Sequence, residues 1–172
     1  IAVFILFDSR GGIFYLQTRI GKNEKPFRIL KFRTMKTGSD KKGLLTVGMK
    51  DSRITRVGIF LRKYKLDELP QLINVLKGDM SIVGPRPEVE KYVAMYSDEQ
   101  RKVFTVKPGI TDEASIEYSN ENEVLSKYPD AEKAYIEIVM PAKLSINLRY
   151  VQQHSFGGDI KIIFKTIGKI FS

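Results

Sequence analysis

The sequence contains no cysteine, which excludes disulfides, thiolate catalysis and thiolate metal ligands. It contains one histidine, His154, so a multi-histidine metal site cannot be built within one chain. Any metal must then be held by carboxylates and phosphates, which points to a hard cation such as magnesium. Nothing pairs with His154 at catalytic or metal spacing, and it reads as a surface or helix-end residue. Long apolar runs are missing too. The chain opens with seven apolar residues, 1–7, whereas a bilayer span needs about 20. No basic segment precedes this run, so it is not a complete signal peptide. It reads either as a buried strand or as the tail of a longer hydrophobic segment, and a start at Ile1 rather than Met favours the second. No internal repeat, low-complexity tract or linker breaks the 172 residues, a length that suits one domain with a proper core.

What is present is a lopsided charge. The net charge is +9, with 29 Lys+Arg against 20 Asp+Glu. Residues 1–66 carry 16 Lys+Arg and 4 Asp+Glu, whereas residues 67–172 carry 13 and 16. A basic half suggests an anionic partner, whether nucleic acid, phospholipid headgroups or a phosphorylated substrate; a solvated surface explains the charge equally well.

Gly11-Gly12 marks a turn before a strand predicted over 13–16. A second turn over 21–26 and a strand over 27–32 complete a hairpin. Residues 36–50, rich in Gly, Lys, Ser and Asp, read as a mobile loop. Helix spacing follows over 54–64, where Ile54, Val57, Phe60 and Leu61 share a face, and over 69–76, where Leu69, Leu72, Ile73 and Leu76 predict one buried face. Gly78 supplies a stop. An apolar run over 80–83 leads into Gly84-Pro85-Arg86-Pro87, and 107–109 is a turn. Further helices are predicted over 88–95, 98–104 with Ser97 as N-cap, 120–125, 131–139, 142–153 and 159–171. The fold class is α+β, mainly helical: a single compact domain with a small β-hairpin.

The run Leu66-Asp67-Glu68-Leu69-Pro70-Gln71-Leu72 stands out. Pro70 suits a first helical turn, so Asp67 and Glu68 sit together at a helix start. Acidic residues favour helix starts anyway, and capping alone explains such a pair. Arg62 before it, Arg86 in its proline-clamped loop, and Lys31 and Arg33 at a strand end add cations suited to phosphate oxygens. Carboxylates, arginines and a hard cation together make a phosphoryl-transfer site.

These residues resemble the bacterial sugar transferase family, the monotopic phosphoglycosyl transferases. The matching blocks are Gln17-Thr18-Arg19-Ile20-Gly21, the stretch from Pro26 to Met35, the stretch from Leu66 to Pro87, and Lys107-Pro108-Gly109-Ile110-Thr111. Tyr150, Ser155-Phe156 and Asp159-Ile160-Lys161 close the series. The blocks come in family order and cover nearly the whole chain. The resemblance implies that residues 1–172 are a catalytic domain, with residues 1–7 the end of an N-terminal re-entrant membrane helix that is otherwise missing. It implies transfer of a sugar-1-phosphate from a UDP-sugar to a membrane polyprenol phosphate such as undecaprenyl phosphate. UMP is released, as the first membrane step in making surface polysaccharide. It implies Asp67 as nucleophile forming a covalent phosphosugar-aspartate, Glu68 beside it holding Mg2+, and Arg62 and Arg86 on phosphates. The place implied is the cytoplasmic face of the bacterial inner membrane, with no nucleic-acid partner. One departure is Asp112-Glu113-Ala114 after Thr111, where many members read Gly-Trp-Ala. This region is expected to bear on sugar choice.

The last helix carries its own pattern. Ile160, Ile163, Phe164, Ile167 and Phe171 share one face, and Lys161, Lys165 and Lys169 recur every four residues. That suits an interfacial amphipathic helix with Ile163, Phe164, Ile167 and Phe171 facing a membrane. An ordinary core helix with solvated lysines has the same composition. The alternative function is a basic nucleic-acid-binding module without catalysis. It lacks a recognisable binding motif and leaves the carboxylate pair unused.

Overall fold

The computed structural model describes residues 1–39 and 51–171, with only the backbone of Phe171. The loop predicted over 36–50 lies, past residue 39, outside the described residues.

The hairpin forms from strands β1 (Phe14–Ile20) and β2 (Pro26–Phe32), antiparallel, with Phe14 opposite Phe32 and Ile20 opposite Pro26. The Phe14 and Phe32 rings stack at 5.5 Å. β1 runs further than its apolar residues indicated. Its polar end is tied down from outside: the Arg19 guanidinium bonds Gln17 and Glu88, and the Ile20 amide donates to the Glu88 carbonyl at 2.9 Å.

Residues 1–7 are not a strand. Helix α1 (Ala2–Asp8) buries only Ile5 and leaves Val3, Phe4, Leu6 and Phe7 exposed. Its last residue, Asp8, accepts a hydrogen bond at 2.8 Å from the Val57 amide at the start of α2 (Arg56–Lys63). The Thr55 side chain caps α2 by accepting from the Gly58 amide. A Cβ at residue 58 would lie 2.1 Å from the Thr34 carbonyl oxygen, so glycine lets α2 press onto the segment after β2. The expected apolar face of this helix is divided: Leu61 is buried and Phe60 is exposed, its ring against Tyr64.

Helix α3 (Gln71–Lys77) reverses the sequence expectation. Leu69, Leu72 and Ile73 are more than 40 % exposed and Leu76 is 86 % exposed, while Gln71 and Asn74 are buried. For Asn74 the reason is hydrogen bonding to the edge of β2; the Gln71 amide is buried without a partner among the described residues. The Asn74 amide oxygen accepts from Leu30 N at 3.0 Å, and its NH2 donates to the Arg28 carbonyl at 2.9 Å. A buried sheet edge needs such partners, and leucine supplies none. Gly78 ends α3 in the left-handed region, φ 85°, as the sequence indicates.

A second, parallel sheet pairs β3 (Ser81–Val83) with β4 (Gly109–Thr111), where the sequence suggested only a turn. Gly84 and Gly109 make this crossing possible, since a Cβ on Gly109 would lie 2.2 Å from the Gly84 nitrogen. After β4 comes an unpredicted helix, α6 (Glu113–Glu117), capped by Asp112.

The core lies among the short helices. These are α4 (Glu90–Val93), α5 (Asp98–Arg101) with its Ser97–Gln100 capping box, α7 (Glu121–Leu125), α8 (Ala131–Ala134) and α9 (Met140–Gln153). A π-helical turn, Tyr135–Val139, joins α8 to α9. Tyr92, Val93, Phe104, Leu125, Tyr135 and Val139 pack at the centre. His154 ends α9 exposed, its Nδ1 3.0 Å from the Val151 carbonyl.

Helix α10 (Phe156–Phe171) is not an ordinary core helix. It turns Ile162 inward and places the Thr166 hydroxyl 2.6 Å from that of Thr111 on β4. Phe164 is 69 % and Ile167 47 % exposed, and Ile163 is half-buried. No described helix is long and apolar enough to cross a membrane.

Candidate active site

Asp67 and Glu68 lie in a 3-10 turn, Leu66–Glu68, that runs through Pro70 into α3. Lys65, just before it, holds φ at 55°, a left-handed conformation uncommon outside glycine. Such strain persists only where surrounding contacts fix the turn. The contacts come from both sheets. Lys31 of β2 places Nζ 3.0 Å from Glu68 Oε1. Arg86, from the loop after β3, forks onto the same carboxylate: Nη2 to Oε1, and Nη1 to Oε2 at 3.1 Å.

The two neighbouring carboxyls are both buried but differ in state. Burial alone would raise the Glu68 pKa; the charges of Arg86 and Lys31 and the Arg86 hydrogen bonds outweigh it and hold it well below the usual value. Burial raises the Asp67 pKa, and the Glu68 charge pushes it the same way; Lys31, Arg62 and Lys65 only partly offset this. Asp67 makes no hydrogen bond or ion pair with any described residue. Environment has therefore separated the two: Glu68 is a fixed anion and Asp67 a more basic carboxylate with open oxygens. Burial also lowers the Lys31 pKa, against the pull of Glu68.

Of the other predicted cations, Arg62 on α2 directs Nε to Thr34 Oγ1 at 2.9 Å and lies within the field of Asp67. Arg33 is turned toward α1. Its guanidinium donates to the Ser9 carbonyl at 2.7 Å and the Arg10 carbonyl at 3.2 Å. Lys31, Arg62 and Arg86 thus gather around the carboxylate pair, whereas Arg33 secures the end of α1. All of them, with Asp67 and Glu68, line one cleft of about 1490 Å3. That is ample for a nucleotide-sized ligand.

Among the described residues no group of three or more His, Cys, Asp or Glu could hold a metal ion. A magnesium ion does not require one, since it is commonly held by one or two carboxylates, waters and substrate phosphates. The open oxygens of Asp67 beside Glu68 fit that donor set.

Sequence reasoning missed the scaffold of the site. Arg19 donates to the Pro87 carbonyl at 3.1 Å and pairs with Glu88 at 3.0 Å, and Glu88 also accepts from the Tyr135 hydroxyl. This network fixes the loop that carries Arg86. Asp112, almost fully buried, contributes to the field at Arg86 while accepting from the Ser115 amide at 2.8 Å. The position of Glu88 right after Pro87 was the available signal for the first network; Asp112 showed only as a departure from a motif.

The profile of the bacterial sugar transferase family matches residues 1–172. A UDP-N-acetylgalactosamine-undecaprenyl-phosphate N-acetylgalactosaminephosphotransferase of Aeromonas hydrophila is 38 % identical over 174 residues, covering 99 % of this chain and 38 % of that protein. A UDP-glucose:undecaprenyl-phosphate glucose-1-phosphate transferase of Escherichia coli K12 is 37 % identical, over 99 % of this chain and 35 % of its own. An uncharacterized sugar transferase, EpsL, of Bacillus subtilis 168 is 39 % identical, over 92 % of this chain and 69 % of its own. The chain therefore spans well under half the length of the first two relatives.

Proposed function

The chain belongs to the bacterial sugar transferase family, and from that membership we propose that it transfers a sugar-1-phosphate from a UDP-sugar to a membrane polyprenol phosphate. The observation that carries this reading is the asymmetry of the carboxylate pair, with Glu68 pinned by Arg86 and Lys31 while Asp67 stays open to the cleft.

In the first step an Asp67 carboxylate oxygen attacks the β-phosphorus of the donor. The bond to the bridging oxygen breaks, and UMP leaves with that oxygen and its electron pair. The sugar-phosphate remains on Asp67 as an acyl phosphate. In the second step an oxygen of the polyprenol phosphate attacks that phosphorus, forming the lipid diphosphate-sugar and restoring the carboxylate. The raised pKa of Asp67 makes it the better nucleophile once ionised. Its attack on an anionic diphosphate needs the phosphate oxygens neutralised. Among the described residues Arg86 keeps three of its five N–H donors after forking onto Glu68, and Arg62 and Lys31 add positive charge. Mg2+ would be held at the open oxygens of Asp67 and would supply further neutralisation of the diphosphate; the expected ligand Glu68 already gives both oxygens to Arg86 and Lys31 and would balance the local charge instead.

The exposed apolar faces of α1, α3 and α10 support a place at the bilayer surface, on the cytoplasmic face of the bacterial inner membrane. Ile163, Phe164 and Ile167 face it in this reading, and Phe171 follows them on the same helix.

The test is UMP release from a panel of UDP-sugars by the protein in membranes containing undecaprenyl phosphate. One active donor is the expected result; no UMP from any donor overturns the reading.

A further inference from the structure

Asn147 lies on α9 and lines the same cleft as the carboxylate pair. It is only 5 % exposed, and its Oδ1 has no hydrogen-bond partner among the described residues. An unsatisfied buried polar atom costs about 1–3 kcal/mol, which a ligand hydroxyl reaching Oδ1 would recover. An amide has both donors and acceptors, which matches a hydroxyl, itself both donor and acceptor. One turn earlier, Lys143 is paired with Glu121 at 2.5 Å, so the charge at this end of the cleft is neutralised. That contrasts with the cationic end at Lys31, Arg62 and Arg86, which suits phosphate.

Helix α6 and its cap lie between the two groups in the chain of influence. Asp112 acts on Arg86 and also accepts from the Ser115 hydroxyl at 2.6 Å, and helix α6, which carries Ser115, packs on α9. The group nearest Arg86 and Asp67 on a UDP-sugar undergoing attack at the β-phosphorus is the hexose, not the uridine. We propose that Asn147, with the Lys143–Glu121 pair one turn before it and Ser115 on the packed helix α6, forms the subsite that hydrogen-bonds the donor's hexose hydroxyls and sets which sugar is accepted. This rests on the transferase reading above.

The experiment compares wild type, Asn147→Ala and Asn147→Asp in membranes with undecaprenyl phosphate. Each is given UDP-glucose, UDP-galactose and their N-acetyl-2-amino counterparts, and kcat/KM is read from UMP release. Inhibition by UDP, which has no hexose, is measured alongside. With Asn147→Ala, kcat/KM for the preferred donor should fall about 10- to 100-fold and the ratios between donors should shrink, while the UDP inhibition constant stays put. Asn147→Asp keeps the shape and an acceptor, so it should shift the donor ratios even if the alanine variant fails to fold. Unchanged donor ratios overturn the subsite and mark the amide as one that only water satisfies. A weakened UDP inhibition assigns the residue to the nucleoside and also overturns it. Wild type inert toward every UDP-sugar fails the transferase reading itself, and the subsite with it.

Discussion

Asn74→Leu should destabilise the fold although it replaces a polar helix residue with an apolar one. In wild type its amide serves Leu30 N at 3.0 Å and the Arg28 carbonyl at 2.9 Å. Leucine leaves both backbone groups without a partner at a part-buried sheet edge. Each costs about 1–2 kcal/mol, giving roughly 2–4 kcal/mol together. For a domain of this size each kcal/mol lowers Tm by about 2–4 °C, so the fall should be roughly 5–15 °C. The counterpart is Leu76→Ala. If that side chain filled the core its loss would cost about 2–5 kcal/mol. At 86 % exposure it should change stability by no more than about 0.5 kcal/mol. Thermal unfolding followed by circular dichroism, in one detergent for all variants, measures both. A Leu76→Ala loss above about 2 kcal/mol with Asn74→Leu near wild type would refute the inward polar face of α3.

Other perturbations reach the site directly. The folded-state pKa of Asp67 is raised above 3.8, so folding loses stability as pH climbs through that shift, and the loss persists at neutral pH. Asp67→Asn should therefore raise Tm at pH 7, the difference vanishing in acid below the unfolded value; an equal or lower Tm at pH 7 counts against the burial argument. Glu68 is the opposite case. Its pKa is depressed, so its contribution is complete above the unfolded value near 4.5 and is lost as pH falls through the folded one. Glu68→Gln should accordingly be less stable than wild type at pH 7, with the gap narrowing in acid. Arg86→Ala should raise the donor's KM about tenfold or more, the loss of one charge-assisted contact, and an unaltered donor response would remove Arg86 from the site. Tyr135→Phe takes a donor from Glu88 and should cost about 1.5–3 kcal/mol in urea unfolding; no change would mean that the Arg19–Glu88–Tyr135 network does not brace the loop.

The parts legible in the sequence were those with local causes. The hairpin followed from apolar runs between turn residues, the end of α3 from Gly78, and the start of α5 from Ser97. The proximity of Asp67, Glu68, Arg62, Arg86 and Lys31 followed from the ordered motifs. What stayed hidden depends on distant partners. The inward turn of Asn74 stayed hidden because nothing nearby in sequence shows that it meets β2. The parallel β3–β4 pairing rests on Gly84 touching Gly109, a contact between residues far apart in the chain. Arg33 carries the right chemistry for phosphate but meets the carbonyls of Ser9 and Arg10, which no spacing rule indicates. The apolar faces of α3 and α10 follow helical spacing as a core face does; periodicity shows that a face exists and not what covers it.

In the proposed mechanism Asp67 carries the sugar-phosphate between donor and lipid. Incubating the protein with its active UDP-sugar, without polyprenol phosphate, and digesting it for mass spectrometry tests for this intermediate. The expected result is one sugar-phosphate added to the peptide bearing Asp67, with no more than one equivalent of UMP released, and neither in Asp67→Asn. UMP release by Asp67→Asn at the wild-type rate once polyprenol phosphate is added, with no adduct in either protein, would contradict it.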